Sequence, residues 1–310
     1  MSLSEGPQPS PPPRAEDGAA PAGGNTLSFP RTRGKVGMGA GVHGVAEIGF
    51  AVADGRTRLS HLYERNPLRV LFPRPPSGDL SNAVVVTTSG GLVAGDRIEV
   101  AVRLEARTAA HLSASAAEKI YRSTGSDTVV EQRLDVRDGA WLEFLPPETI
   151  LFDAARLRRT TTVELAGGGG FLGGGIIVFG RRARGEGFTT GLLHEAWEVR
   201  RGGRLVWGDA LHIDGDVAAV MADPACFGGA AVCATLILAS PDAALLLEGA
   251  RDLQGRSPVR AGATLVNGVL VARWLGDDAW ALRCAYADLA CHLREAALGL
   301  PPRLPRLWNV

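Results

Sequence analysis

Two carboxylates on either side of a short strand-like run are the first residues in this chain that suggest chemistry. In PPETILFD they are Glu148 and Asp153, and a carboxylate pair can divide acid and base work between its members. No Ser nucleophile elbow, HExxH or Walker A pattern accompanies them, so turn and cap carboxylates are the competing reading. His212, Asp214 and Asp216 alternate in HIDGD. On a strand they would share one face and offer donors to a divalent cation, although Asp-Gly also spells a turn. Cys291-His292 sets a soft thiol beside an imidazole and is a weaker metal candidate, and His194-Glu195 stands as an isolated pair. Arg181, Arg182, Arg184 and Glu186 crowd into GRRARGE. Such a cluster suits docking to a protein partner or forms a solvated rim.

The remaining motifs exclude more than they assign. Cys226 and Cys233, and Cys284 and Cys291, stand in two pairs whose six intervening residues exceed the two to four of a zinc knuckle. They are expected to be buried, reduced thiols. GxGxxG at 39–44 lacks the preceding strand and following helix that a dinucleotide site requires. GGGGFLGGG at 167–175 lacks the Lys-Ser/Thr of a phosphate loop and is expected to be a flexible turn.

The elements that must hold these residues are mostly strands. Residues 87–104, TTSGGLVAGDRIEVAVRL, join two strand patterns through a glycine turn. Ile98, Val100, Val102 and Leu104 alternate there with Arg97, Glu99, Ala101 and Arg103, which puts aliphatic side chains on one face and charges on the other. Asp96 is placed to cap backbone N–H groups of that turn. Strand signals recur at 43–53, 57–63, 108–115, 128–136, 140–146, 160–165 and 195–213, whereas 226–239 reads equally as buried strand or buried helix. Pro241-Asp242 can cap a short helix over DAALLLEGARDL, and 277–299 is the clearest helix, with Gly299 as its stop. Residues 1–40 are rich in Pro, Gly, Ala and Ser and are expected to be a disordered, flexible tail, leaving 41–310 as one β-rich domain.

The chain has 310 residues, zero formal net charge and forty glycines. That length supports a substantial core, and the charge balance supplies no basic field for nucleic acid or an anionic membrane. Apolar runs stop at about ten residues, half of what a membrane helix needs. The first residues carry no secretory pattern, so a cytoplasmic location is the default expectation.

Seven phrases in order resemble the urease accessory protein UreD (UreH) family: GRTRLSHLYERNPLRVLFP at 55–73, SGGLVAGD at 89–96, AEKIYRS at 117–123, WLEFLPPETILFDAAR at 141–156, GRRARGE at 180–186, GRLVWGD at 203–209, and the terminal PRLWNV. Ser89, Ala94 and Pro147 depart from the family's usual residues in two of the turns. The resemblance implies a mostly β fold of layered, solenoid-like sheets with a few helices, the clearest near the C-terminus. It implies a non-enzymatic scaffold that binds UreF, through it the GTPase UreG, and apo-urease. No cofactor is expected to be tightly bound, nickel being in transit. Asp96, Glu148, Asp153 and Glu186, the acids within the recurring phrases, become candidate passage or interface residues, and Arg181, Arg182 and Arg184 candidate docking residues. The competing expectations are a hydrolase or lyase built on Glu148 and Asp153, and a metal-storing protein built on His212, Asp214, Asp216 and Cys291-His292.

Overall fold

The structure, a computed structural model, describes residues 41–309; the expected tail over 1–40 lies outside the described residues. In chain order the strands are β1 (His43–Ala53), β2 (Arg56–Arg65), β3 (Leu68–Leu71), β4 (Ser81–Thr87), β5 (Arg97–Leu104), β6 (Ala109–Ala114), β7 (Glu118–Ile120), β8 (Thr128–Val136) and β9 (Trp141–Phe144). They continue as β10 (Thr149–Leu151), β11 (Arg156–Leu165), β12 (Gly170–Phe179), β13 (Leu192–Arg201) and β14 (Arg204–Asp214). Helix α1 (Val217–Ala222), β15 (Val232–Ala239), α2 (Leu247–Gly255), β16 (Arg260–Val266), β17 (Val269–Gly276) and α3 (Ala279–Leu298) complete the order.

Between β4 and β13 the chain winds back and forth between two sheets. The first sheet runs β14-β13-β11-β8-β5-β1-β2, and the second runs β16-β17-β15-β12-β9-β6-β4-β3, with β10 and β7 pairing to one side. Successive passes stack in parallel: Arg97 lies beside Val129, Val129 beside Arg158, and Arg158 beside His194. This is the layered, solenoid-like architecture that the recurring phrases imply, in which each coil buries its apolar face against its neighbours. Antiparallel strands close the ends of the first sheet, β2 at one and β14 at the other.

Period-two alternation fills the space between the sheets. Ile98, Val100, Val102 and Leu104 of β5 point inward with Val130 and Leu134 of β8 and Leu157 and Val163 of β11, against Leu112, Leu142, Phe144 and Phe171 of the second sheet. The opposite residues form a charged outer face. Arg97 bonds Glu99 at 2.9 Å and Glu131 of the neighbouring strand at 2.7 Å, and Arg133 bonds Glu131 at 2.7 Å. Partly solvated surface pairs of this kind contribute about 1 kcal/mol or less each, so the core rather than this ladder holds the sheets.

A second core lies on the far face of the second sheet, where Leu172, Ile176, Leu236 and Leu238 meet Leu282, Tyr286, Leu289 and Leu293 of α3. Asp278 caps α3, accepting from the N–H groups of Trp280 at 2.8 Å and Ala281 at 3.1 Å, and Gly299 ends it at φ 63°. Arg294, fully buried, donates to Glu143 of β9 at 3.0 Å and to Asp79 at 2.6 Å, and Glu143 also meets His111 of β6 at 2.8 Å. Trp308 donates its indole N–H to the Leu145 carbonyl at 2.9 Å, which pins the C-terminal segment to the same sheet.

Several expectations need correction. The glycine run at 167–175 is largely strand, not turn: β12 begins at Gly170. A Cβ on Gly170 would strike the Trp141 ring, and one on Gly174 the Thr235 carbonyl of β15, so the glycines serve close packing within a sheet. Of the segment 226–239, Val232–Ala239 is strand β15 and the residues before it form a turn, and α2 starts at Leu247 with no side-chain cap from Asp242. Of the four cysteines expected to be buried, Cys226 and Cys284 are exposed. Cys233 and Cys291 are half-buried, with burial pushing their thiols up to about 12 and about 11.

Candidate functional site

A cavity of about 240 Å³ lies between the two sheets at the end where β7 and β10 pair. Its construction follows from two interruptions in the second sheet. Pro146 and Pro147 separate β9 from β10, and proline has no N–H to continue a ladder. Strand β12 pairs with β9 through Gly173 and with β10 only from Ile177. The stretch between includes Gly174 and Gly175, which have no side chains to fill the space, and both line the cavity.

Apolar side chains from both sheets, including Leu68, Val100, Phe144 and Trp197, line it together with polar ones that include Glu118, Lys119, Gln132, Thr149 and Arg159. Arg159 of β11 is buried, donating its Nε to Glu195 at 2.6 Å and its Nη1 to Thr149 Oγ1 at 2.8 Å. Glu195 takes a second bond from the Trp197 indole N–H at 2.9 Å, so both its oxygens are engaged. Gln132 accepts from the Thr161 hydroxyl at 2.8 Å. Glu118 of β7 lines the cavity at its β7 end. Removal from water pushes its carboxyl above the usual range, against the opposing pull of Arg159 and a hydrogen bond with Thr87. Lys119 lines the cavity beside Glu118, so two cationic side chains, Arg159 and Lys119, stand against two carboxyls, Glu118 and the Arg159 partner Glu195, in a low-dielectric space.

The rim of this end is built from the segments that recur in the sequence resemblance. Leu92 bridges to Ile120, and Arg122 to Ala155. The Tyr121 hydroxyl donates to the Gly90 carbonyl at 2.9 Å, and its ring meets Phe152 edge-on at 4.8 Å. Arg181 lies 4.2 Å over the Phe152 ring and bonds Glu186. Glu186 in turn accepts from the Asp153 N–H at 3.0 Å. Four phrases far apart in the chain, 89–96, 117–123, 141–156 and 180–186, therefore meet at one end of the sheets.

A family model described as "UreD urease accessory protein" matches residues 42–309. The chain belongs to the UreD family of urease accessory proteins. It is 46% identical over 276 residues to the "Urease accessory protein UreD" of Magnetococcus marinus, covering 87% of this chain and 95% of that one. It is 42% identical over 292 residues to the protein of that name from Methylobacterium sp., covering 92% and 98%. A "Urease accessory protein UreD 2" of Methylorubrum populi is 42% identical over 267 residues, covering 86% and 88%.

Within this UreD-family fold the sequence-predicted acids occupy different settings. Asp96 is buried at the glycine turn, where its oxygens accept from the N–H groups of Val42 at 2.9 Å and Val93 at 2.8 Å, the capping arrangement expected from its position. Glu148 turns toward α3 and meets Arg283 at 3.1 Å, and Arg283 stacks on the Trp308 ring at 4.7 Å. Asp153 accepts from the Thr189 N–H at 2.8 Å, the Thr189 hydroxyl at 2.9 Å and the Thr190 N–H at 3.2 Å. Burial alone would raise the Asp153 carboxyl, but those bonds outweigh it and hold it below the usual range. The hydrogen bond from Arg181 does the same for Glu186, helped by the Asp153 N–H. Glu148 and Asp153 thus have separate partners at opposite ends of β10, whereas Asp153 and Glu186 are brought together.

Arg181, Arg182 and Arg184 are exposed, the last two in a short 3-10 turn, Arg182–Arg184. His212 and Asp214 share the outer face of β14, but Asp216 lies beyond the strand and caps α1 through the Ala219 N–H at 3.0 Å. Cys291 and His292 sit on α3, with His292 against Gly249 of α2. Among the described residues no three His, Cys, Asp or Glu side chains come together as a metal-ligand set.

Sequence reasoning passed over Arg159, Glu195, Glu118, Thr149 and Gln132 as a group. The signal was present in the phase of the strands. Arg159 and Glu195 occupy inward positions, in phase with Leu157 and Val163 in β11 and with Leu193 and Trp197 in β13. A charge in the apolar phase of a strand is rare unless paired.

Proposed function

We propose that this urease accessory protein is a non-enzymatic scaffold that binds apo-urease, recruits UreF and the GTPase UreG, and passes nickel through the cavity between its sheets. The observation that carries the reading is the meeting of four family phrases at one end of the sheets, three of which, 89–96, 117–123 and 141–156, line that cavity. The cavity that they line holds Glu118 and Lys119 at its β7 end and Arg159, which is itself bonded to Glu195. Oxygen donors that are few and already shared with arginine and hydroxyl partners bind a borderline cation weakly enough to release it.

The exposed surface offers docking for macromolecular partners. Arg182 and Arg184 are exposed on the turn after β12, Leu59, Leu62 and Tyr63 are exposed on β2, the edge strand of the first sheet, and Leu71 is exposed on β3, the edge strand of the second. Apolar area of this kind on an edge strand is usually covered in an assembly. No helix of the described residues is long and apolar enough to cross a membrane, and a cytoplasmic place of action is part of the proposal.

The test is co-purification of the tagged chain with the UreF and apo-urease of its source, followed by urease activity after nickel and GTP-loaded UreG are added. Association, with activation lost when the chain is omitted, is the expected result. Normal activation without the chain would overturn the reading and return attention to Glu148 and Asp153.

A further inference from the structure

The outer face of the first sheet carries a feature that the scaffold reading does not use. His194 of β13 and His212 of β14 stand directly opposite each other across an antiparallel pair, with ring centroids 5.4 Å apart and planes at 67°. His212 is exposed and His194 half-buried. Other imidazoles are committed elsewhere: His43 to Glu99 at 2.8 Å and His111 to Glu143 at 2.8 Å. Among the described residues, neither His194 nor His212 makes a hydrogen bond or ion pair.

We propose that His194 and His212 form a surface site for a divalent transition-metal cation. An imidazole nitrogen holds such an ion at about 2.0–2.1 Å, so two rings sharing one ion have centres about 5 Å apart, close to the spacing already present. The sheet supplies the preorganisation, because register fixes both residues on one face of rigid strands. Ala196 and Ala210, the next outward pair along the two strands, are small and leave room for water ligands. Asp214 lies two residues beyond His212 on the same face and adds a negative charge. The cations nearby are Arg158, the register neighbour of His194, and Arg156; both are held by Asp127, at 2.5 and 2.6 Å. Two imidazoles leave coordination positions open to water or to a donor from a second molecule, which suits capture and hand-over better than storage. This site lies on the outer face and needs no urease partner, so it stands apart from the cavity reading.

The experiment uses the full chain with any affinity tag removed, titrated calorimetrically with Cu²⁺ and with Ni²⁺, and frozen with Cu²⁺ for EPR. Affinity should follow the Irving–Williams order, Cu²⁺ above Ni²⁺, with the hyperfine pattern of two equatorial nitrogens. His194→Ala and His212→Ala should each weaken Cu²⁺ by about tenfold or more, since either change leaves a single ligand and loses the chelate. His212→Asn, which keeps a polar side chain on the edge strand, should do the same with an unchanged circular dichroism spectrum. His292→Ala should leave binding as in the parent chain. Unchanged affinity and nitrogen pattern in the His194 and His212 variants, or a loss confined to His292→Ala, would overturn the proposal.

Discussion

Arg159 and Glu195 meet at 2.6 Å in the space between the two sheets, each with 8% of its side chain exposed. They arrive there from adjacent parallel strands, Arg159 standing opposite Glu195 in the register of β11 and β13. The pair fixes one charge of each sign beside a cavity that Glu118 and Lys119 also line.

Breaking that pair from one side should cost far more than removing it. Glu195→Gln leaves the Arg159 guanidinium buried without a counter-charge, a loss of about 3–5 kcal/mol. Adding Arg159→Met to Glu195→Gln removes both charges while an oxygen remains for the Trp197 N–H, and most of the loss should return. Urea denaturation of the two single variants and the double variant measures this, and an additive double variant would mean that the pair is not coupled.

Adjacent glycines should respond in opposite ways. Gly174→Ala drives a methyl group into the Thr235 carbonyl of β15 and should destabilise the chain by about 3 kcal/mol or more. At Gly175 the nearest atom to an added Cβ is Arg159 Nη2 at 4.0 Å, so Gly175→Leu should fold and occupy the cavity instead. If nickel moves through this space, Gly175→Leu loses urease activation while its melting temperature stays near the parent value. Full activation by a folded Gly175→Leu chain would place the route elsewhere.

Glu118 should trade stability against function. Desolvation holds its folded-state pKa above the ordinary value, about 4.3 for the unfolded chain. As pH rises the unfolded state therefore ionises first, and stability present below about pH 4 is lost as pH climbs through the folded value. Glu118→Gln should be more stable than the parent at pH 7 and converge with it below about pH 4. The same variant should activate urease less well if the carboxylate helps the cation along. Thermal melts across that range and the activation assay read the two effects separately.

Glu143 has the opposite sign. Burial would raise its carboxyl, but the His111 hydrogen bond and charge and the nearby Arg294 more than reverse this and hold it below the ordinary range. Its contribution is therefore present above the unfolded value of about 4.3 and is lost as pH falls through the folded one. Acid unfolding of the parent should be steeper in this window than that of Glu143→Gln, which starts less stable at pH 7 because Arg294 loses its buried partner.

Local rules written in the chain decided the elements themselves. The alternation of Ile98, Val100, Val102 and Leu104 with charged neighbours specified β5 and its inward face. The acid at 278 and the glycine at 299 bounded α3 because caps and breakers act within a turn of where they stand. The ordered phrases were enough to place the chain in its family. Tertiary structure alone decided what those elements enclose. Gly170 to Gly175 read as a loose turn because glycine by itself has no preference, and only the approach of Trp141 and β15 makes them strand. Arg159 and Glu195 are 36 residues apart, and no local signal ties one to the other. Their pairing, like the cross-strand meeting of His194 and His212, comes from register, which is set by the stacking of whole coils and the packing of both sheets on one core.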